Sequence, residues 1–183
     1  MIAHPEMQIR AQDELDVVVG RSRTPTFADA PSLPYIQALV KESLRWRPPF
    51  PIGIPHTATE DDWYEGMFIP KGTMCIVNIW QCHHDPEPYG PDAASFNPER
   101  FLDEDGRLIQ GPVETRDDGH SSYGFGRRAC PGKHAANDAL FISMATILWA
   151  TRLEHACDEN GKEIPVDTER TVDLGLLEER FSK

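Results

Sequence analysis

The sequence predicts a mainly α chain with small β-sheets and long stretches of ordered coil. Three observations carry this. Three segments place apolar residues at helical spacing, and the first two stop at glycine or proline. A central segment breaks into short apolar runs separated by glycine turns. Sixteen of the 183 residues are proline; they concentrate in the middle of the chain beside aromatics, which suits coil held by packing.

Taken in order, Pro5 to Val19 reads as the first helix, with Met7, Ala11, Leu15 and Val18 as its apolar stripe and Gly20 as its stop. The second lies in LPYIQALVKESLRWRPP. Pro34 sits near its first turn, Ile36, Leu39, Val40 and Leu44 are apolar, and it must end before Pro48. FPIGIPHTA then reads as extended. WYEGMFIPKGTMCIVNIW divides into short strands with turns at Glu65-Gly66 and Lys71-Gly72. Asp85 to Phe101 is expected as ordered coil and Gly106 to His120 as a polar loop.

The third helix is expected from Pro131 to about Trp149. Ala135, Ala139, Ile142 and Thr146 line one face, and Ala136, Leu140, Ser143 and Ile147 line its neighbour. So wide an apolar face implies burial against more than one element. Few long helices are at hand to cover it, so either the fold is unusually coil-rich or part of the core lies outside the sequence. RLEHACDENGKEIPV suggests a final hairpin around Glu159-Asn160-Gly161. No internal repeat is visible.

Composition narrows the function. The chain is long enough for one domain with a core. A formal charge of −12 argues against nucleic-acid binding as a whole-chain property. The four cysteines are far apart with no C-x-x-C pair, which suggests neither a zinc ribbon nor a disulfide scaffold and fits a reducing compartment. MIAHPEMQIRAQDELDVVVG lacks the basic-then-apolar order of a signal peptide. The longest apolar-rich run, Ala139 to Ala150, is too short to span a bilayer.

The chemistry concentrates in SSYGFGRRACPGKH, Ser121 to His134. A helix N-terminus presents unpaired N–H groups and partial positive charge, and Arg127 and Arg128 add full charges; all three favour thiolate over thiol at Cys130. Gly124, Gly126 and Gly132 allow close backbone approach to something bulky and flat. A thiolate, N–H donors and a cation together suit a haem iron with its propionates. The same features also suit a phosphate-holding loop, or a cysteine that is merely packed.

YGFGRRACPG resembles the haem-binding signature F-G-x-G-x-R-x-C-x-G of the cytochrome P-450 (haem-thiolate monooxygenase) family. The resemblance puts Cys130 on the axial iron ligand, Arg128 on the arginine that pairs with a propionate, and Gly124, Gly126 and Gly132 on the loop glycines. Tyr123 departs from the family's usual Phe: the ring is kept and a hydroxyl is added. ESLR is similar to the family's E-x-x-R and gives Glu42 and Arg45, three apart on one helical face. FNPERF is similar to its P-E-R-F and gives Arg100. In the family these three form a buried ionic triad beneath the haem, more suited to fixing one geometry than to adding stability. By the same resemblance His56, in FPIGIPH, falls where a propionate partner often lies, and Phe50 to Ile54 would face substrate. Read without the family, the Glu42–Arg45 pair is a surface ion pair and His56 an exposed histidine.

The resemblance runs along residues 1–183 but covers only the C-terminal, haem-binding portion of the family's single domain. The distal A-G-x-x-T motif is not found, and TVDLGLLEERFSK departs from the family's final strand. What it implies is haem b with a cysteine thiolate ligand, electrons from NADPH through a reductase, a small apolar organic substrate, and insertion of one oxygen atom from O2. HDPE.Y…FNPERF has the style of a eukaryotic, microsomal, fungal member, whose full-length relatives sit on the cytoplasmic face of the endoplasmic reticulum membrane. The isolated chain is expected to be inactive. The rival readings are a non-enzymatic haem-binding or sensing module, a zinc module on Cys75, Cys82, His83 and His84, and a partner-dependent fragment. Arg127, Lys133 and His134 are expected to face outward, toward a docking reductase.

Overall fold

The computed structural model describes residues 1–109 and 118–166. Three long helices meet at its core. Helix α1, Pro5–Val18, starts with proline in its first turn. A 3-10 turn, Phe27–Ser32, leads into α2, Pro34–Trp46, which is the most buried of the three. Helix α5, Lys133–Ala150, closes the set. Ala11, Leu15 and Val19 pack with Leu33, Ile36, Leu39, Val40 and Leu44, and with Phe141, Ala145 and Leu148. Burial of the valine, leucine, isoleucine and phenylalanine side chains among these is worth roughly 1.5–3 kcal/mol each.

Polar side chains fasten the helix ends. No side chain within α2 caps its N-terminus. Glu14 of α1 does so instead, its carboxylate accepting the amides of Tyr35 at 2.8 Å and Ile36 at 3.1 Å. Burial nonetheless pushes the Glu14 carboxyl above its ordinary value, because loss of hydration outweighs those two bonds. At the other end, Gln8 exchanges two hydrogen bonds with the backbone of Leu153, at 3.0 and 2.8 Å. Trp149 Nε1 donates to Gly20 O at 2.7 Å.

Two small antiparallel sheets project from this core. Strand β1, His56–Thr57, pairs with β4, Met74–Cys75, in the register His56↔Cys75. Between them β2, Asp62–Tyr64, pairs with β3, Met67–Ile69, through the expected turn. Both turn residues have positive φ, 47° at Glu65 and 80° at Gly66, as a tight hairpin of this twist requires. The tail also pairs as expected, Cys157 opposite Glu163 with Gly161 at φ 78°.

Two expectations need correction. The strand-like run to Trp80 ends early: β4 stops at Cys75 and a short helix α3, Ile79–His83, follows. Asn78 decides this, since its side chain accepts the Gln81 amide at 3.0 Å and caps a turn in spite of the β-branched neighbours. Asp85 and Asn97 act alike, capping α4 (Pro86–Tyr89) and the 3-10 turn Pro98–Phe101 inside what read as plain coil. The second correction is the face of α5. The buried stripe is Phe141, Ala145 and Leu148, whereas Ala135, Ala139, Ser143 and Ile147 of the expected faces are exposed. Part of the polar loop expected from Gly106 to His120 lies outside the described residues.

Candidate functional site

The site is built outward from the C-terminal half of α2. Glu42 and Arg45 are both fully buried. Arg45 Nε donates to Glu42 Oε2 at 2.6 Å and Nη2 to Oε1 at 2.7 Å. The rest of the guanidinium is spent on carbonyls: Ala93 at 2.7 Å, Ser95 at 3.0 Å, and His83. All five guanidinium donors are therefore used. Arg100 joins from the 3-10 turn. Its Nε lies 3.3 Å from Glu42, and its other nitrogens reach Asp92 and the carbonyls of Tyr89, Asp92 and Ser95. Asn97 N–H completes the carboxylate at 2.7 Å. The three residues expected to form a triad thus meet, and the solvated-pair reading of Glu42 and Arg45 is excluded by their burial.

This clamp gathers the coil from His83 to Phe101, and the coil gathers the segment before the cysteine. Tyr89 Oη donates to Gly119 O at 3.1 Å. Ser122 Oγ donates to Leu44 O at 2.7 Å. His83 Nδ1 lies 2.8 Å from Arg45 O, while its Nε2 accepts the Ser121 amide at 2.8 Å. Ser122 N–H reaches His120 Nδ1 at 3.2 Å. Burial holds both imidazoles neutral, lowering His83 to about 4 and His120 to about 3. From sequence His83 entered only as a candidate zinc ligand, and neither His120 nor Gly119 was singled out as a site residue. The HHD run and the G-H pair before SSYGF were visible, but nothing local told that their rings would be buried.

The loop itself follows. Gly124 N–H donates to Ser121 O at 2.9 Å, and Cys130 N–H to Tyr123 O at 2.7 Å. A 3-10 turn, Gly126–Arg128, lies between. Tyr123 Oη donates to Asn137 Oδ1 at 2.6 Å, tying the loop to α5. Burial, with Asp118 and Cys130 adding to it, pushes the Tyr123 phenol up to about 12. Helix α5 begins at Lys133 rather than at Pro131, so Cys130 lies two residues before the N-cap Gly132.

These residues fit a thiolate-ligated haem. Cys130 is unpaired and exposed. Gly124 and Gly126 have φ of 73° and 57°, and a Cβ on either would meet nothing within 4 Å, so one flank of the loop is open. A Cβ on Gly132 would lie 3.8 Å from the Cys130 sulfur. Arg128 is exposed and forms no ion pair among the described residues. Phe50, Ile52, Ile54, Ile76, Phe125 and Ile147 are large apolar residues left exposed.

Three of the other expected site residues, His56, Arg127 and His134, are exposed. His56 is exposed on β1, and among the described residues no hydrogen bond or ion pair joins it to the cysteine loop. Of the outward-facing cations, Arg127 and His134 are exposed, but Lys133 turns back to Asp118 at 2.9 Å. The zinc reading fails on donors: both nitrogens of His83 are occupied by backbone, and His84 stacks on Trp80 at 4.1 Å with Nδ1 against Trp80 O.

Residues 1–181 match the sequence profile of the family described as Cytochrome P450. A cytochrome P450 monooxygenase of Armillaria gallica is 56% identical over 97% of this chain and 34% of its own length. Cytochrome P450 monooxygenase 58 of Postia placenta is 50% identical, with 97% and 33% covered. A cytochrome P450 monooxygenase of Amanita muscaria is 45% identical, with 97% and 40% covered. All three relatives are fungal, and the chain spans about a third of the length of the first two.

Proposed function

Because this chain belongs to the cytochrome P450 family, we propose that it is the haem-holding part of a haem-thiolate monooxygenase, with Cys130 as the residue that would hold the iron. The observation that carries this reading is an exposed, unpaired thiol on an open glycine loop whose backbone is fastened from behind. When bound, haem b supplies dioxygen activation, with electrons passed from NADPH by a reductase, and a thiolate ligand favours O–O cleavage. Cys130 would supply the thiolate to the iron. Gly124, Gly126 and Gly132 would let the backbone approach the macrocycle, and Tyr123 braces the loop on α5. Arg128 offers a cation to a propionate, and His56 a second partner from β1. Glu42, Arg45 and Arg100 keep the coil beneath in one geometry.

The exposed apolar residues of 50–54, Ile76 and the open face of α5 supply the apolar surroundings for the cofactor and a small organic substrate. That open face also supports the reading that these 183 residues alone do not sustain turnover. Residence on the cytoplasmic side of the endoplasmic reticulum membrane is proposed for the whole protein; among the described residues no helix is long and apolar enough to cross a membrane. The test is haem reconstitution of the wild type beside Cys130→Ser. The ferrous carbon-monoxide spectrum of the variant is expected to lose the thiolate band while its far-UV circular dichroism is unchanged. Identical spectra would overturn the assignment.

A further inference from the structure

We infer that His83 is a positioning residue for the ligand loop: its ring joins the end of α2 to the backbone that descends to Cys130. The two contacts define its chemistry. A carbonyl can only accept, so Nδ1 carries the proton toward Arg45 O at 2.8 Å; an amide can only donate, so Nε2 presents its lone pair to Ser121 N–H at 2.8 Å. Arg45 returns a bond to the His83 carbonyl, making the pair reciprocal. The ring is thus fixed in orientation and tautomer by the same arginine that anchors the ionic clamp.

Its second nitrogen reaches a different stretch of chain, 38 residues on. From Ser121 the path to the cysteine is short. Ser122 Oγ binds Leu44 O, Gly124 N–H binds Ser121 O, and Cys130 N–H binds Tyr123 O. The ring's rigidity matters because it sets the spacing of donor and acceptor across a fully buried gap. Around it lie Arg45 from α2, His84 beside it, Tyr89 with its ring 6.3 Å away, and His120 at 6.2 Å.

The inference rests on Cys130 as the ligand, and its test separates the two claims. In the haem-loaded wild type, nitrogen NMR of His83 is expected to show the Nδ1–H tautomer and a protected Ser121 amide; an Nε2–H tautomer would overturn the inference, and this measurement needs no variant. His83→Phe keeps the ring and removes both bonds. Amide exchange in 119–123 is expected to quicken about tenfold or more, with α1 and α2 unchanged, and part of the thiolate signature to be lost. His83→Gln, which keeps a donor and an acceptor, is expected to recover part of both. Unchanged exchange in 119–123, or exchange raised equally in every helix, would overturn it. A Cys130→Ser protein that kept the thiolate signature would instead overturn the ligand assignment, leaving the exchange result intact.

Discussion

Arg45 and Glu42 form a doubly hydrogen-bonded ion pair, at 2.6 and 2.7 Å, with neither side chain reaching solvent. The pair is the hub from which the coil beneath the cysteine loop is held. Two charges out of water cost several kcal/mol each, and only complete satisfaction offsets that. The five donors of Arg45 and the added amide of Asn97 provide it. Glu42→Gln keeps the shape and removes the compensating charge from two arginines. It is expected to destabilise the fold by about 3–5 kcal/mol, read as a fall in the urea midpoint. Arg45→Lys is expected to cost nearly as much, because one ammonium cannot serve four separate acceptor groups.

How far this arrangement was legible in the sequence depends on the range of each signal. Helices α1 and α2 were legible because proline starts and apolar spacing are local, as were the Glu65-Gly66 turn and the tail hairpin. The meeting of Glu42, Arg45 and Arg100 was reached only through resemblance, since i, i+3 spacing does not say whether a pair is buried. Asn78 was passed over because the apolar run around it spoke for a strand. The packed face of α5 was misjudged because apolar residues ring that helix almost completely, so periodicity could not choose a side. His83 and Gly119 act through partners 38 and 18 positions away, Ser121 and Phe101, a distance at which no pattern operates.

Acid is expected to weaken the fold through the two buried imidazoles. An unfolded histidine titrates near 6.5, whereas His83 titrates at about 4 and His120 at about 3 in the fold. The unfolded chain therefore binds more protons below pH 6.5. Stability is full above that value and falls as pH drops, by about 1.4 kcal/mol per unit for each histidine. The His83 contribution to this loss levels off below about pH 4. Denaturant midpoints measured between pH 7 and 4.5 check this, and His83→Gln is expected to flatten the slope. An equal slope in that variant would remove His83 from the account.

Gly119 admits no side chain. A Cβ there would lie 2.6 Å from Cε1 of Phe101, and the backbone has φ +77°. Phe101 is itself buried and has no room to yield. Gly119→Ala is expected to cost about 2–4 kcal/mol, combining the strained backbone with overpacking. Gly106→Ala is the control: φ is +73°, but nothing lies within 4 Å, so only the backbone cost of roughly 1 kcal/mol applies. Thermal melts of the two variants separate the terms, and equal losses would mean that the Phe101 contact carries none of the cost.

The hydroxyl that distinguishes Tyr123 from phenylalanine has a definite partner, Asn137 Oδ1 at 2.6 Å on the second turn of α5. The phenol keeps its proton up to about pH 12, so it remains a donor throughout the range in which the protein is handled. Tyr123→Phe keeps the ring packed beside His120, 5.3 Å between centroids, and removes only the bond. The loss is expected to be about 1 kcal/mol, the net worth of one such hydrogen bond. The loop's backbone bonds, Gly124 N–H to Ser121 O and Cys130 N–H to Tyr123 O, do not involve the hydroxyl. Haem uptake by Tyr123→Phe should therefore match the wild type while its urea midpoint falls. A variant that lost haem uptake at unchanged stability would show that the hydroxyl serves the site rather than the seam between loop and helix.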